Sequence, residues 1–209
     1  MKFKVVSAIA AVVVGALSFG SAGHAASVVD EWASVKTPAA LALKPVTVDT
    51  KTTALLMLDF MNQNCGKRPR CVAQIPAMKK LVEAARAAKV LVVYSLIAKT
   101  TTADVIKDVA PRADEPHVLS GPDKFYKTDL EKILADKGIK TVIVVGTAAN
   151  GAVMFTANSA ALRGLNVIVP VDGLSAVDPF VELFTVVHMA TGPAIAAKAT
   201  LTRSDMIKF

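Results

Sequence analysis

The sequence predicts an α/β fold, three layers with helices on both faces of a mainly parallel sheet, and three observations carry that prediction. Thr141 to Val145 is a β-branched run without a polar interruption, the pattern of a strand buried on both faces. A small-residue turn, Gly146 to Asn150, leads into a helical pattern from Gly151 to Arg163 that stops at Gly164, and a second apolar run, Leu165 to Val171, follows at once. This is a β-α-β unit, which needs a right-handed crossover and parallel strands. Upstream, two more apolar runs flank an amphipathic segment, so the alternation repeats. In such sheets ligands sit at the carboxyl ends of the strands, so the turn from Gly146 to Ala152 is the first place to look for a site. Thr147 is the one side-chain hydroxyl between Gly146 and Val153, and no Ser, Cys or His lies there.

From the start, Met1 to Lys4 carries two lysines, Val5 to Leu17 is unbroken apolar sequence, and Gly20 to Ala26 is small and weakly polar. The apolar run is short for a bilayer span. It reads as a cleaved secretory signal over residues 1–25, placing the mature chain in the periplasm or outside the cell. Residues 26–53 read as an N-terminal arm anchored by burial of Trp32, and residues 54–209 as one domain. Ala54 to Phe60, ALLMLDF, is the first strand and ends in a carboxylate, Asp59. A charge there must be paired, protonated or functional. Met61 to Gln74 reads as a polar loop. Ile75 to Ala88 is amphipathic, with Met78, Leu81, Val82 and Ala85 on one face and Pro76 suited to its first turn. Lys89 to Ile97 is the second strand, and Lys99 to Glu115 a polar crossover with a short helix near Asp104 to Val109. His117 to Leu119 is a short third strand. Thr128 and Glu131 have capping-box spacing for a helix over Asp129 to Lys137. After the central unit come a loop, a helix over Pro179 to Met189, and a closing strand within Ala199 to Ile207.

The formal charge of +7, or +5 without Lys2 and Lys4, is scattered, and aromatic residues make up 5% of the chain. A nucleic-acid surface needs clustered basic residues with stacking partners, so no nucleic-acid partner is expected. Nor is a membrane partner once the signal is removed. The chain has two cysteines, Cys65 and Cys71, in CGKRPRC. In an exported chain such a pair reads as a disulfide; a reactive thiol is the competing reading, with Cys65 near the strand end that carries Asp59. No Cys/His cluster has metal-ligand spacing, so neither a metal nor a cofactor is expected.

ALLMLDFMNQ, FYKTDLEKILADKGIKTVIVVG and TAANGAVMFTANSAALRGLNVIVPVDG, in that order and spacing, resemble the isochorismatase-like hydrolases over roughly residues 50 to 190. The resemblance implies a Rossmann-like three-layer sandwich with about six mainly parallel strands, a small-molecule ligand, and assembly as a homo-oligomer. Most members are cysteine hydrolases of small amides. They use an Asp ending the first strand, a Lys on a middle strand, and a Cys opening the central helix: an acid/base carboxylate, a cation that tunes it, and a thiolate over helix N–H groups. The match puts Asp59 at the aspartate and Ala152 at the cysteine. An ungapped match puts Leu119 at the lysine, whereas Lys124 takes that role if the loop follows a different path. One branch, the true isochorismatases, is similar in lacking the thiol and cleaves a vinyl ether by protonation and water; GTAANGAV, including Ala149, is similar to that branch.

Two expectations follow. One is an exported hydrolase with Asp59 as general acid/base, Lys124 as its charge partner, and an oxyanion or ligand cradle over Ala149, Asn150 and Gly151, built from the Gly151 and Ala152 N–H groups. The other is a catalytically silent binding or scaffold protein on the same fold. Five further side chains have two readings each. His188 is expected to be packed rather than catalytic, Asp172 to cap a loop rather than line the cleft, and Phe125, Tyr126 and Phe155 to pack in the core or wall a pocket.

Overall fold

Thr53–Leu58 is apolar at every position but its first, and its side chains alternate between two separate apolar clusters, the mark of a strand covered on both faces. The computed structural model that shows this describes residues 26–209; the signal expected over residues 1–25 lies outside the described residues. In chain order the elements are α1 (Val28–Glu31), β1 (Val46–Thr47), β2 (Thr53–Leu58), α2 (Pro69–Ala87), β3 (Leu91–Leu96), β4 (His117–Leu119), α3 (Leu130–Asp136), β5 (Thr141–Thr147), α4 (Met154–Leu162), β6 (Asn166–Pro170), β7 (Leu174–Ser175), α5 (Pro179–Thr191), β8 (Ala199–Thr202) and β9 (Ile207–Lys208).

The main sheet has seven strands in the order β4-β3-β2-β5-β6-β8, with β7 paired beside β5, and all its pairings are parallel. Six strands on one path match the expected number, and β7 adds a seventh. Leu55, Met57, Ile143 and Val145 face α2, packing with Met78, Leu81, Val82 and Ala85. Leu56, Leu58, Val142 and Val144 face the other way, onto Leu130 and Leu134 of α3, Ala157 and Ala160 of α4, and Met189 of α5. Helices on both faces give the three layers. The two central strands, β2 and β5, carry their carboxyl ends to one edge.

Five expectations need correction. Helix α2 starts at Pro69, so Pro76 lies inside it and Pro69 takes the first-turn position. The disulfide explains the earlier start: Cys65 and Cys71 are bonded, with Cα atoms 5.2 Å apart, and Cys71 falls in the first turn. The crossover carries two 3-10 turns, Thr102–Asp104 and Lys107–Val109, in place of a helix. The capping box does not form. Thr128 Oγ1 accepts from Leu130 N–H at 3.2 Å, while Glu131 reaches across to Arg163 at 2.8 Å. Trp32 is 77% exposed and anchors nothing by burial. Finally, residues 41–53 belong to the same compact unit as the domain: Leu41 and Leu43 pack on its core, and β1 pairs in parallel with β9.

The disulfide closes a short loop in which both sulfurs are buried. Replacing both cysteines by alanine is expected to lower unfolding free energy by about 2–3 kcal/mol, read from the midpoint of urea denaturation.

Candidate active site

The site begins with a register. Leu58, the last residue of β2, stands opposite Ser95 on β3 and Gly146 on β5. At Gly146 the two backbones come so close that a Cβ would lie 2.1 Å from Leu58 O, and φ there is +145°, so glycine is required. The next residue, Asp59, turns out of the sheet with φ +56°, a left-handed conformation that aspartate tolerates better than most residues. Strand end and strained turn together aim its carboxyl into the space above the sheet edge.

Three hydrogen bonds from two side chains grip that carboxyl. Ser95 Oγ donates to Oδ1 at 2.6 Å, and Lys124 Nζ donates to Oδ1 at 2.9 Å and to Oδ2 at 2.8 Å. Asp59 N–H in turn donates to Ser95 Oγ at 3.1 Å. Lys124 is 1% exposed and also donates to Gly121 O at 2.8 Å, while its N–H donates to Thr156 Oγ1 on α4 at 3.2 Å. A buried ammonium needs this many partners. Leu119, the ungapped alternative, is exposed on β4. The loop after β4 therefore folds back and brings Lys124 to Asp59. Burial pushes the Asp59 carboxyl above its usual range, and the Lys124 ammonium, the Ser95 hydroxyl and the more distant Arg68 charge oppose that shift without cancelling it.

Asp59 opens on a cavity of about 340 Å3, also lined by Arg68, Ser120, Thr147, Gly151 and Ala152. Two larger depressions, of about 550 and 620 Å3, lie along α2, and neither holds any part of this cluster. Ala152 thus shares the cavity with Asp59. Ala149, by contrast, is buried in the core, and Asn150 is exposed to solvent; neither lines the cavity. Gly151 does, but its N–H already donates to Ala148 O at 2.9 Å, so the expected cradle lacks that donor. Cys65 is buried in its disulfide, and no free thiol exists among the described residues.

Other expected residues lie elsewhere. Asp172 accepts from Ser204 N–H and Oγ at 2.8 and 2.6 Å, tying the C-terminal segment to the turn after β6. His188 packs against Phe184 and hydrogen-bonds Asn158. Phe125 is core under the Arg163 guanidinium, while Tyr126 and Phe155 face solvent. Among the described residues no group of three or more His, Cys, Asp or Glu side chains could hold a metal ion.

Sequence reasoning missed Ser95, Arg68 and Ser120. Ser95 was detectable as the one hydroxyl in the apolar strand VLVVYSLI beyond the tyrosine. Arg68 gave no such signal, because it sits among other basic residues in a polar loop.

Comparison with known proteins places the fold in a family. The Isochorismatase domain family matches residues 53–201. A secreted isochorismatase effector, Isc1, of Verticillium dahliae is 28% identical over 182 residues, 80% of this chain and 96% of that protein. Among solved structures, N-carbamoylsarcosine amidase of Thermoplasma acidophilum superposes with a TM-score of 0.64 at 25% identity, covering 74% of this chain and 97% of its own. A cysteine hydrolase of Pseudomonas syringae gives 0.69 at 21% identity, over 80% and 95%. The buried Asp59–Lys124 pair at the sheet edge thus lies within a matched stretch that covers well over half of the sequence, and the chain belongs to the isochorismatase family.

Proposed function

We propose that this protein is an exported hydrolase that cleaves a small vinyl ether by proton transfer from Asp59, without a covalent thiol step. One observation carries the reading: a carboxyl whose proton affinity is raised by burial opens on a cavity whose helix-side wall is Ala152. A general acid must hold its proton more tightly than an ordinary carboxyl, and burial shifts Asp59 in that direction. Asp59 protonates the terminal alkene carbon, leaving an oxocarbenium ion; water adds to that carbon–oxygen centre and returns a proton to the carboxylate. The resulting hemiketal collapses by breaking the carbon–oxygen bond, releasing an alcohol and a ketone. Lys124, which donates to both carboxyl oxygens, stabilises the carboxylate between the two proton transfers.

Ala152, at the position the resemblance gives to the nucleophile, offers no sulfur for an acyl intermediate. Export is supported by the basic and apolar start of the sequence, by the disulfide, and by the secreted relative. No helix among the described residues is long and apolar enough to cross a membrane.

The test is turnover by the purified, disulfide-intact chain. Isochorismate and simpler vinyl ethers are expected to be hydrolysed, nicotinamide and N-carbamoylsarcosine to be left intact, and iodoacetamide to have no effect. Amide hydrolysis blocked by iodoacetamide would overturn the proposal. No turnover of any vinyl ether, ester or amide by the folded protein would assign it to the silent binding class.

A further inference from the structure

The cavity holds a cation that the proton-transfer chemistry does not use. Arg68 lies inside the disulfide loop, and its backbone is held at both ends: its N–H donates to Cys65 O at 2.9 Å, and its carbonyl accepts from Cys71 N–H at 2.9 Å. From there the half-buried side chain crosses to β5, where Nη1 donates to Thr147 Oγ1 at 2.9 Å. Thr147 is itself fixed, donating to Ser175 O at 3.3 Å. Among the described residues no carboxylate pairs with Arg68, and its Nε and Nη2 have no protein acceptor. The neighbouring Arg70 does have one, Glu182.

We propose that Arg68 reads a carboxylate on the bound small molecule, and that the Cys65–Cys71 bridge sets its position for that task. Charge supports the first half. Asp59 is matched one-to-one by Lys124, so Arg68 leaves the cavity with an unmatched positive charge, and with a second one whenever Asp59 is protonated. A carboxylate on the ligand offsets the Arg68 charge. Geometry supports it too, because the unused guanidinium edge is a planar fork that suits the two oxygens of a carboxylate. The backbone gives no rival anion site at Gly151, whose N–H is taken. Ser120 Oγ, buried beside the same cavity without a partner, is a second donor for the ligand. The second half follows from the loop: the residue that carries the cation lies between two covalently joined positions, so the joint removes its freedom to swing out.

The inference rests on this cavity being the substrate site and deepens the proposed function, yet its test is equilibrium binding and needs no turnover. Benzoate and benzamide share a shape and differ in charge. Titrated into the disulfide-intact chain and followed by amide NMR shifts, benzoate is expected to bind roughly tenfold more tightly or better. Arg68→Ala should bring that ratio to about one, and Arg68→Lys should restore part of it, since it keeps the charge but not the fork. The Cys65→Ala/Cys71→Ala chain, if folded by circular dichroism, should show a reduced ratio; a wild-type ratio there overturns the positioning role. If that chain is unfolded, benzoate protection of Arg68 N–H signals in the intact protein replaces it, with unchanged signals counting against the role. Equal affinities, no benzoate binding, or an unchanged ratio in Arg68→Ala overturns the carboxylate reading. Failure of vinyl-ether turnover with a preserved ratio would overturn the proposed function alone.

Discussion

Asp59→Asn is expected to lower vinyl-ether turnover by roughly a thousandfold, within the range for losing a positioned general acid. The amide keeps the size of the carboxyl and still offers an oxygen to Lys124 Nζ, so the fold should survive with a loss of about 2 kcal/mol or less. Two measurements separate these outcomes: the single-turnover rate and the urea midpoint. The pH dependence follows from the direction of the Asp59 shift. Burial raises its proton affinity in the folded state, so the reactive protonated form extends above the usual carboxylate range. Turnover should therefore be full on the acid side and fall tenfold per pH unit above the raised value. Stability obeys the same sign: the contribution of this group is present below the ordinary aspartate value of 3.8 and is lost as pH rises through the folded value. A rate that increases with pH through this range would contradict the acid role.

Gly146→Ala is expected to be the most damaging single methyl addition at the site. The added Cβ would lie 2.1 Å from Leu58 O and 2.7 Å from Leu58 Cβ, and the backbone there has φ +145°. Neither the clash with a main-chain atom nor the strained dihedral can relax by a rotamer change. Together they should cost roughly 4 kcal/mol, measured by urea denaturation. The strands would part at the step before Asp59, so turnover by the remaining folded protein should fall about a hundredfold, as expected for a small misplacement of a reacting group.

Much of the architecture was legible because parallel strands buried on both faces must be continuous apolar runs. Thr53–Leu58 and Thr141–Thr147 announce themselves that way. Asp59 was legible for the converse reason, as a charge ending such a run. Helix α2 was misread at its start because a covalent bond, and not its apolar periodicity, fixes its first turn at Cys71. Lys124 could not be placed by spacing, since the loop after β4 changes path and no periodic pattern constrains a loop. Arg68 was less visible still: the side chain that holds it, Thr147, is distant in sequence and near only after folding. The Gly151 donor failed for a local reason, a turn that closes on Ala148 O.

The separate anchoring of the two halves of the site has an evolutionary consequence. The Asp59–Lys124 pair is secured by the ends of β2 and β3 and by the segment carrying Lys124. The rest of the cavity wall comes from other chain segments, the turn at 147–152 and the bridged loop at 65–71. Under the proposed chemistry, such a protein can change which molecule it accepts by substitutions that leave its acid undisturbed. New specificity is then a matter of redecorating one wall.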